Sequence, residues 1–332
     1  MSNLLKYFTT NEIQNKKECL KKSKNTQIEN IKNNNNNKNI MKDDIKIQKV
    51  DRSLKVIKLI VNNKELLKKY KITGSIYEKS NKAVLKIRSK KNNKKYLLKI
   101  KSINKDIYDE AKIFDKLKGK THDNIIKFID CKKCDNYYYF IYDYFNGVNL
   151  SKYINDNYEN FDDILIKYII KQILDGINFL HNNDIIHCDI KLDNIMINKK
   201  NIVKIIDFDL SKIIKKEYIS ESIFGTLQYI APESYNLGIY SKKSDIWSLG
   251  IVIYNIVTKK FPYNYNISSV NSNSNMYKRN EFKHLNLKIM KNIVKKNNYN
   301  QELVKLIVSM LNFKDDKRPT IENILNSQWL KD

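Results

Sequence analysis

An α+β fold is predicted for this chain, with most of its strands before residue 143 and most of its helices after it. Three observations lead there. Short apolar or aromatic runs of strand length occupy residues 96–100, 137–141 and 202–206. Apolar residues recur at helical spacing over 110–117, and longer helical stretches cover 161–180, 251–257 and 303–311. A polar octet, His187-Cys188-Asp189-Ile190-Lys191-Leu192-Asp193-Asn194, interrupts this pattern after the apolar run 177–186, and Asp207-Phe208-Asp209 follows the strand-like run 202–206.

Taken in chain order, residues 1–65 contain no glycine or proline and carry an asparagine run at 33–37 among lysines. Low hydrophobicity and repeated polar residues predict a largely disordered Lys/Asn-rich extension over 1–67. Within it, Ile47, Val50, Leu54, Ile57, Ile60, Val61 and Leu66 are spaced to line one helix face. A second polar stretch, 264–283, follows Phe261-Pro262-Tyr263 and is expected as a surface loop.

The octet and the Asp-Phe pair define a chemistry. Phosphoryl transfer needs a hydroxyl held in line, phosphate charge neutralised by a cation, and a metal held by oxygen ligands. Asp189 suits the orientation of an attacking hydroxyl and acceptance of its proton. Lys191 suits contact with the transferring phosphate. Asn194 and Asp207 supply the oxygen donors that Mg²⁺ prefers.

With these residues the chain resembles eukaryotic-type serine/threonine protein kinases over about residues 70–329. Further matches are Gly225-Thr226, Ala231-Pro232-Glu233, Ser244-Asp245-Ile246-Trp247-Ser248-Leu249-Gly250 and Lys317-Arg318-Pro319-Thr320. The resemblance implies a bilobal α+β fold: a β-rich N-lobe over 68–143, a hinge at 144–146 and a helical C-lobe over 147–332. It implies ATP and Mg²⁺ as cofactors, and transfer of the γ-phosphoryl group to serine or threonine hydroxyls of proteins. Lys99 matches the lysine on the ATP α- and β-phosphates and Glu110 its helix partner, with Asp109 as a competing partner one position away. Val84 and Leu97 match positions around the adenine ring. Tyr142 matches the gate to the pocket behind it, and the backbone of Asp143 to Phe145 the hinge that pairs with the base. Thr226 is implied to hydrogen-bond around Asp189 and Lys191. His187 is implied to pack beneath the metal-binding loop, the 244–250 helix to anchor the catalytic loop, and Arg318 to pair with Glu233.

The chain departs from the family pattern at four places. The three glycine positions of the phosphate-cradling loop fall on Tyr77, Lys79 and Lys82, so side-chain charge from Lys79 or Lys82 is expected to replace backbone donors. Leu97 stands where a small alanine is usual. Asp209 replaces the glycine after Asp-Phe and is expected to bias that loop. Cys188 replaces the arginine that reads a phosphate on the activation segment. Modification at Ser211, Tyr218, Ser220 or Ser222 is therefore expected to be dispensable for activity. These departures also motivate an alternative, a catalytically weak or dead pseudokinase that serves as a binding scaffold.

Composition bounds the rest. With 332 residues, 42% of them hydrophobic, one two-lobed domain with a tail is expected. No apolar run is long enough to span a membrane, and the first ten residues do not read as a secretory signal. Four cysteines without a paired framework suit a reducing, intracellular compartment, cytoplasmic or nuclear. Cys131 and Cys134 have the spacing of half a zinc site but lack a second pair, and are expected in a turn between strands. The net charge of +26 accompanies abundant Lys, Asn and Ile, as in AT-rich coding sequence. No arginine-rich stripe or nucleic-acid-binding fold accompanies it, so no specific nucleic-acid partner is expected, although a polyanion-binding role stays open. Asn149 and Asn255 occupy positions where kinases that prefer basic substrates place glutamates.

Overall fold

The computed structural model describes residues 64–79, 82–103, 107–157, 162–262 and 301–331. The extension up to residue 63, most of the helix face expected over 47–66, Phe161 and the polar stretch 264–283 lie outside the described residues. Packing groups the described residues up to 103 with 129–144, and residues 107–128 with those from 145 onward.

The first unit is a short helix, α1 (Lys64–Lys69), and a five-stranded sheet in the order β1-β2-β3-β5-β4. Its strands are β1 (Tyr70–Lys79), β2 (Lys82–Ser89), β3 (Lys95–Ser102), β4 (Phe128–Cys134) and β5 (Tyr137–Asp143). β-branched and aromatic residues at alternate positions favour this pleated arrangement, because each strand turns every second side chain to the same face. Antiparallel register then collects the apolar set. Ala83 lies opposite Ile100, Leu85 opposite Leu98, and Leu98 and Ile100 lie opposite Ile141 and Tyr139. All are buried in one cluster, with Leu66, Leu67 and Tyr70 packed against it.

The same register puts Val84 opposite Lys99, Lys99 opposite Phe140, and Leu97 opposite Tyr142 on the other face of the sheet. Two register shifts in β1, after Ile72 and after Ser75, bring Tyr77 opposite Val84 and Lys79 opposite Lys82. Cys131 and Cys134 both lie within β4, which corrects the turn expected for them. Alternation along the strand sends residues three apart to opposite faces, and Cys134 packs against the apolar cluster.

The second unit is mainly helical. It contains α2 (Ile107–Lys116), β6 (Val148–Asn149), α3 (Leu150–Asn157) and α4 (Asp163–Asn182). Then come β7 (Ile185–Ile186), β8 (Ile195–Ile197), β9 (Val203–Ile205), β10 (Lys212–Ile213) and β11 (Glu217–Ile219). The remainder is α5 (Pro232–Leu237), β12 (Ile239–Ser241), α6 (Lys242–Thr258), α7 (Gln301–Met310), α8 (Ile321–Leu325) and α9 (Gln328–Lys331). Asp162 caps α4 by accepting from the Leu165 amide at 2.7 Å. Ile166, Ile169, Ile170, Ile173, Leu174, Ile177 and Leu180 form its buried stripe. α6 opens with a reciprocal Ser241–Ser244 capping box and is buried on almost every side. No helix among the described residues is long and apolar enough to cross a membrane.

Residues 107–128 pack with the larger unit, whereas a contiguous small lobe was expected over 68–143. Long-range contacts explain the difference. Lys212 Nζ meets Asp109 Oδ2 at 2.7 Å, and the Ile126 amide donates to Ile205 O at 3.0 Å. Asn124 Nδ2 reaches both Gln172 Oε1 and Val203 O at 3.1 Å.

Arg318 fastens the C-terminal part of this unit. Its side chain is fully buried and forks onto Glu233, with Nη1–Oε1 and Nη2–Oε2 both at 2.7 Å. Lys243 O, Asn312 O and Phe313 O accept from the remaining guanidinium donors, and the group lies 5.0 Å from the Trp247 ring. Removing one member of such a pair leaves the other buried and uncompensated. Arg318→Met is therefore expected to lower unfolding stability by about 3–5 kcal/mol, and Arg318→Met with Glu233→Leu by distinctly less. Urea unfolding of the parent, the single and the double variant checks this.

Candidate active site

The catalytic-loop segment hangs from a buried carboxylate. Asp245, on α6, accepts from the His187 amide (Oδ2, 2.9 Å), the Cys188 amide (Oδ1, 3.0 Å) and His181 Nε2 (Oδ2, 2.9 Å). Three donors on one carboxylate compensate its burial. They also hold Cys188 at φ 64°, a left-handed conformation that costs a side-chain-bearing residue about 1–3 kcal/mol. The backbone reversal there turns Asp189 away from α6. His187 accepts from the Asp189 amide at Nδ1 (3.3 Å) and faces Ile206 O with Nε2 (3.1 Å), which assigns the ring proton to Nε2. Its ring lies 5.3 Å from that of Phe208, so it braces the Asp207-Phe208 loop as the resemblance implies.

Three of the expected residues close a hydrogen-bonded ring, and a fourth, Asn194, joins it at Asp189. Asp189 Oδ2 accepts from Lys191 Nζ at 2.7 Å and Asn194 Nδ2 at 2.8 Å, while Oδ1 accepts from Thr226 Oγ1 at 2.7 Å. Lys191 Nζ also donates to Thr226 Oγ1 at 2.6 Å. Asn194 Nδ2 donates again to Asp189 O at 2.9 Å, so two acceptors fix the orientation of the amide. The Asn194 side-chain oxygen is thereby left as its donor atom toward a cation. Thr226 reaches this ring because Gly225 has φ 105°, and a Cβ there would come within 2.9 Å of Cys188 O.

A hairpin relates the two metal-ligand candidates. Ile195 pairs with Ile205 and the Ile206 amide donates to Asn194 O at 2.9 Å, so Asn194 precedes β8 and Asp207 follows β9 on neighbouring chain ends. The left-handed residue in this loop is Asp207 (φ 64°), not Asp209. Asp209 therefore does not need the freedom of the glycine it replaces, and the bias expected from it falls one turn earlier. Carboxylate and amide oxygens at these two positions match the hard-oxygen preference of Mg²⁺. Among the described residues no cluster of three or more His, Cys, Asp or Glu side chains forms a metal site.

The remaining candidates divide between the units. Val84, Leu97, Lys99 and Tyr142 share one face of the first unit's sheet, with Lys99 and Tyr142 buried there. Lys82 pairs with Lys101 on the adjacent row, and Lys79 ends β1 opposite Lys82. Gly74, the one glycine near that hairpin, sits within β1 and a Cβ there would touch nothing within 4 Å. It does not compensate for Tyr77, Lys79 and Lys82. Asp143 spends its side chain on Lys94 Nζ (3.1 Å) and on the Tyr144 amide (3.2 Å). Phe145, in the second unit, receives the Gly147 amide on its carbonyl at 3.2 Å.

On α2, the two acidic alternatives separate. Asp109 is engaged by Lys212 at 2.7 Å and Lys112 at 3.5 Å, while Glu110 is completely buried.

The activation segment carries an aromatic cluster in which Phe224 and Tyr240 were not singled out from sequence. β11 pairs with β12, placing Tyr218 opposite Tyr240. Phe224 and Tyr240 stack with ring centroids 3.9 Å apart, and Tyr240 Oη both accepts from the Phe224 amide (2.8 Å) and donates to Phe224 O (2.9 Å). Cys188 packs into this aromatic cluster, where burial pushes its thiol well above the usual range. Burial likewise raises the Tyr240 hydroxyl to about 12. Ser211 is fully buried and donates to His187 O at 3.1 Å, so it is not an accessible modification site in this conformation, whereas Ser220 is half-buried and Ser222 exposed. Only the aromatic and basic composition of 212–240 hinted at such a cluster.

Comparison with known proteins agrees with this arrangement. The profile described as "Protein kinase domain" matches residues 72–330. The chain is 32% identical over 231 residues to "Serine/threonine-protein kinase PSK1" of Saccharomyces cerevisiae, covering 68% of this chain and 15% of that protein. It is 34% identical over 203 residues to "Calcium-dependent protein kinase 4" of Plasmodium berghei, covering 60% of this chain and 35% of that protein. The chain thus spans only about a sixth to a third of the length of these relatives. The α+β fold class and the β-rich and helical parts expected from sequence stand, and over residues 72–330 the chain belongs to the protein kinase domain family.

Proposed function

We propose that this chain transfers the γ-phosphoryl group of ATP to serine or threonine hydroxyls of protein substrates. The observation that carries the reading is the closed ring of Asp189, Lys191 and Thr226, with Asn194 bonded to Asp189. Asp189 orients the acceptor hydroxyl and takes its proton as the new O–P bond forms and the bond to the ADP leaving group breaks. Lys191 neutralises charge on the transferring group. Thr226 bridges Asp189 and Lys191 and holds both in that geometry, a Ser/Thr-type feature by resemblance. Asn194 and Asp207 would hold Mg²⁺, which when bound neutralises phosphate charge. Lys99, with Glu110 as its partner by resemblance, would contact the α- and β-phosphates. Val84 and Leu97 enclose the adenine ring, Tyr142 limits the pocket behind it, and the backbone of Asp143 to Phe145 pairs with the base.

Tyr77, Lys79 and Lys82 in the β1–β2 hairpin favour a second reading, a pseudokinase scaffold. Backbone donors need a close approach that glycine permits, and Lys79 and Lys82 replace them with point charges on long stems. Thermal shift with Mg²⁺-ATP followed by radiolabel transfer to a mixed Ser/Thr peptide separates the two, since binding without transfer supports the scaffold.

Asp189→Asn keeps the side-chain volume but removes the proton acceptor. Transfer is expected to fall by about 10³-fold or more with an unchanged melting temperature. Parental turnover in a clean preparation of this variant would remove Asp189 from its role. Ser220→Ala with Ser222→Ala removes the half-buried and the exposed serine of the activation segment. This variant is expected to keep kcat within about twofold of the parent, because no arginine stands at Cys188 to read a phosphate there.

A further inference from the structure

Lys212 is a buried cation of the second unit outside the ring at Asp189. Its backbone pairs with Ile186 in the β10–β7 ladder, next to the catalytic loop. Its side chain is only 7% exposed, and its ammonium meets Asp109 Oδ2 at 2.7 Å. The same ammonium lies 5.2 Å from the Tyr218 ring centroid and 5.5 Å from that of Phe224. Asp109 immediately precedes Glu110 on α2, and Phe224 immediately precedes Gly225-Thr226. One buried charge thus touches the helix that bears Glu110 and the segment that bears Thr226.

We propose that Lys212 is a positioning residue for phosphoryl transfer. Through Asp109 it sets α2, and through Tyr218 and Phe224 it sets the segment carrying Thr226, in place of a phosphate on that segment. The proposal rests on the phosphotransferase reading above. Cys188 supplies no charge to this neighbourhood, so the cation that organises the segment comes from β10. Its counter-ion is a carboxylate of the chain itself. Tyr240 completes the device, because its hydroxyl holds both backbone groups of Phe224 and keeps that ring in the stack beside the ammonium. A buried ammonium with a carboxylate and two rings has one low-energy arrangement, whereas an exposed pair would not discriminate.

The experiment uses the full chain, treated with phosphatase, with Mg²⁺-ATP and a generic Ser/Thr peptide. Lys212→Met is expected to lower kcat by about tenfold or more with KM for ATP and peptide within about twofold, the signature of a misplaced catalytic group. Lys212→Arg, which keeps charge and ring stacking, is expected to restore most of kcat. Tyr240→Phe keeps the aromatic stack and loses only the hydroxyl, so it answers the question if Lys212→Met fails to fold. It is expected to lower kcat in the same selective way. Parental kcat in folded Lys212→Met or in Tyr240→Phe overturns the proposal, as does abolition of parental activity by the phosphatase. Absence of transfer by the untreated parent overturns the phosphotransferase reading itself, and this proposal with it.

Discussion

The carboxylate of Asp245 is the constraint on which the rest of the catalytic segment depends. A charge buried on α6 must find donors, and it finds them in two successive amides and a histidine of the segment above it. Those bonds hold Cys188 left-handed, which in turn aims Asp189 at Lys191, Asn194 and Thr226. Helix α6 is buried nearly all round, so its carboxylate is a rigid anchor. The geometry of four functional groups thus descends from one residue that takes no part in the chemistry.

A second consequence concerns charge. With cysteine in place of arginine before Asp189, the space beside the catalytic loop fills with apolar and aromatic groups, Tyr218, Phe224 and Tyr240 among them. The thiol there is held protonated by burial and behaves as a small apolar side chain. On the proposal made above, packing among these rings and one buried ion pair takes the place of a charge-reading arginine.

Much of this was legible in the sequence because it is local. The spacing of Asp189, Lys191 and Asn194 places them on one short loop, and the Arg318–Glu233 pair followed from two motifs that the family joins. The strands at 96–100 and 137–141 and the helix at 303–311 followed from periodicity, with ends shifted by one to two residues. What could not be read was non-local or conformational. Asp109 and Lys212 meet across 103 positions, and no pattern in either segment announces the pair. The left-handed positions 188 and 207 hold no glycine to mark them, and at Cys188 hydrogen bonds to Asp245 rather than backbone freedom hold the conformation. Two register shifts within β1 rotate its phase relative to β2, and a simple alternation count misses both.

The proposed nucleotide side would rest on the sheet face that carries Val84, Leu97, Lys99 and Tyr142, and on a hairpin without the family's usual glycines. The most direct measurement is a crystal structure of the full chain with Mg²⁺ and a non-hydrolysable ATP analogue. The account predicts the metal on the Asn194 side-chain oxygen and the Asp207 carboxylate, Lys99 on the α- and β-phosphates with Glu110 beside it, and Asp189 facing the γ-phosphate. A structure in which the analogue is held with Lys99 and Asp207 turned away from its phosphates, or in which Leu97 excludes the base, contradicts it.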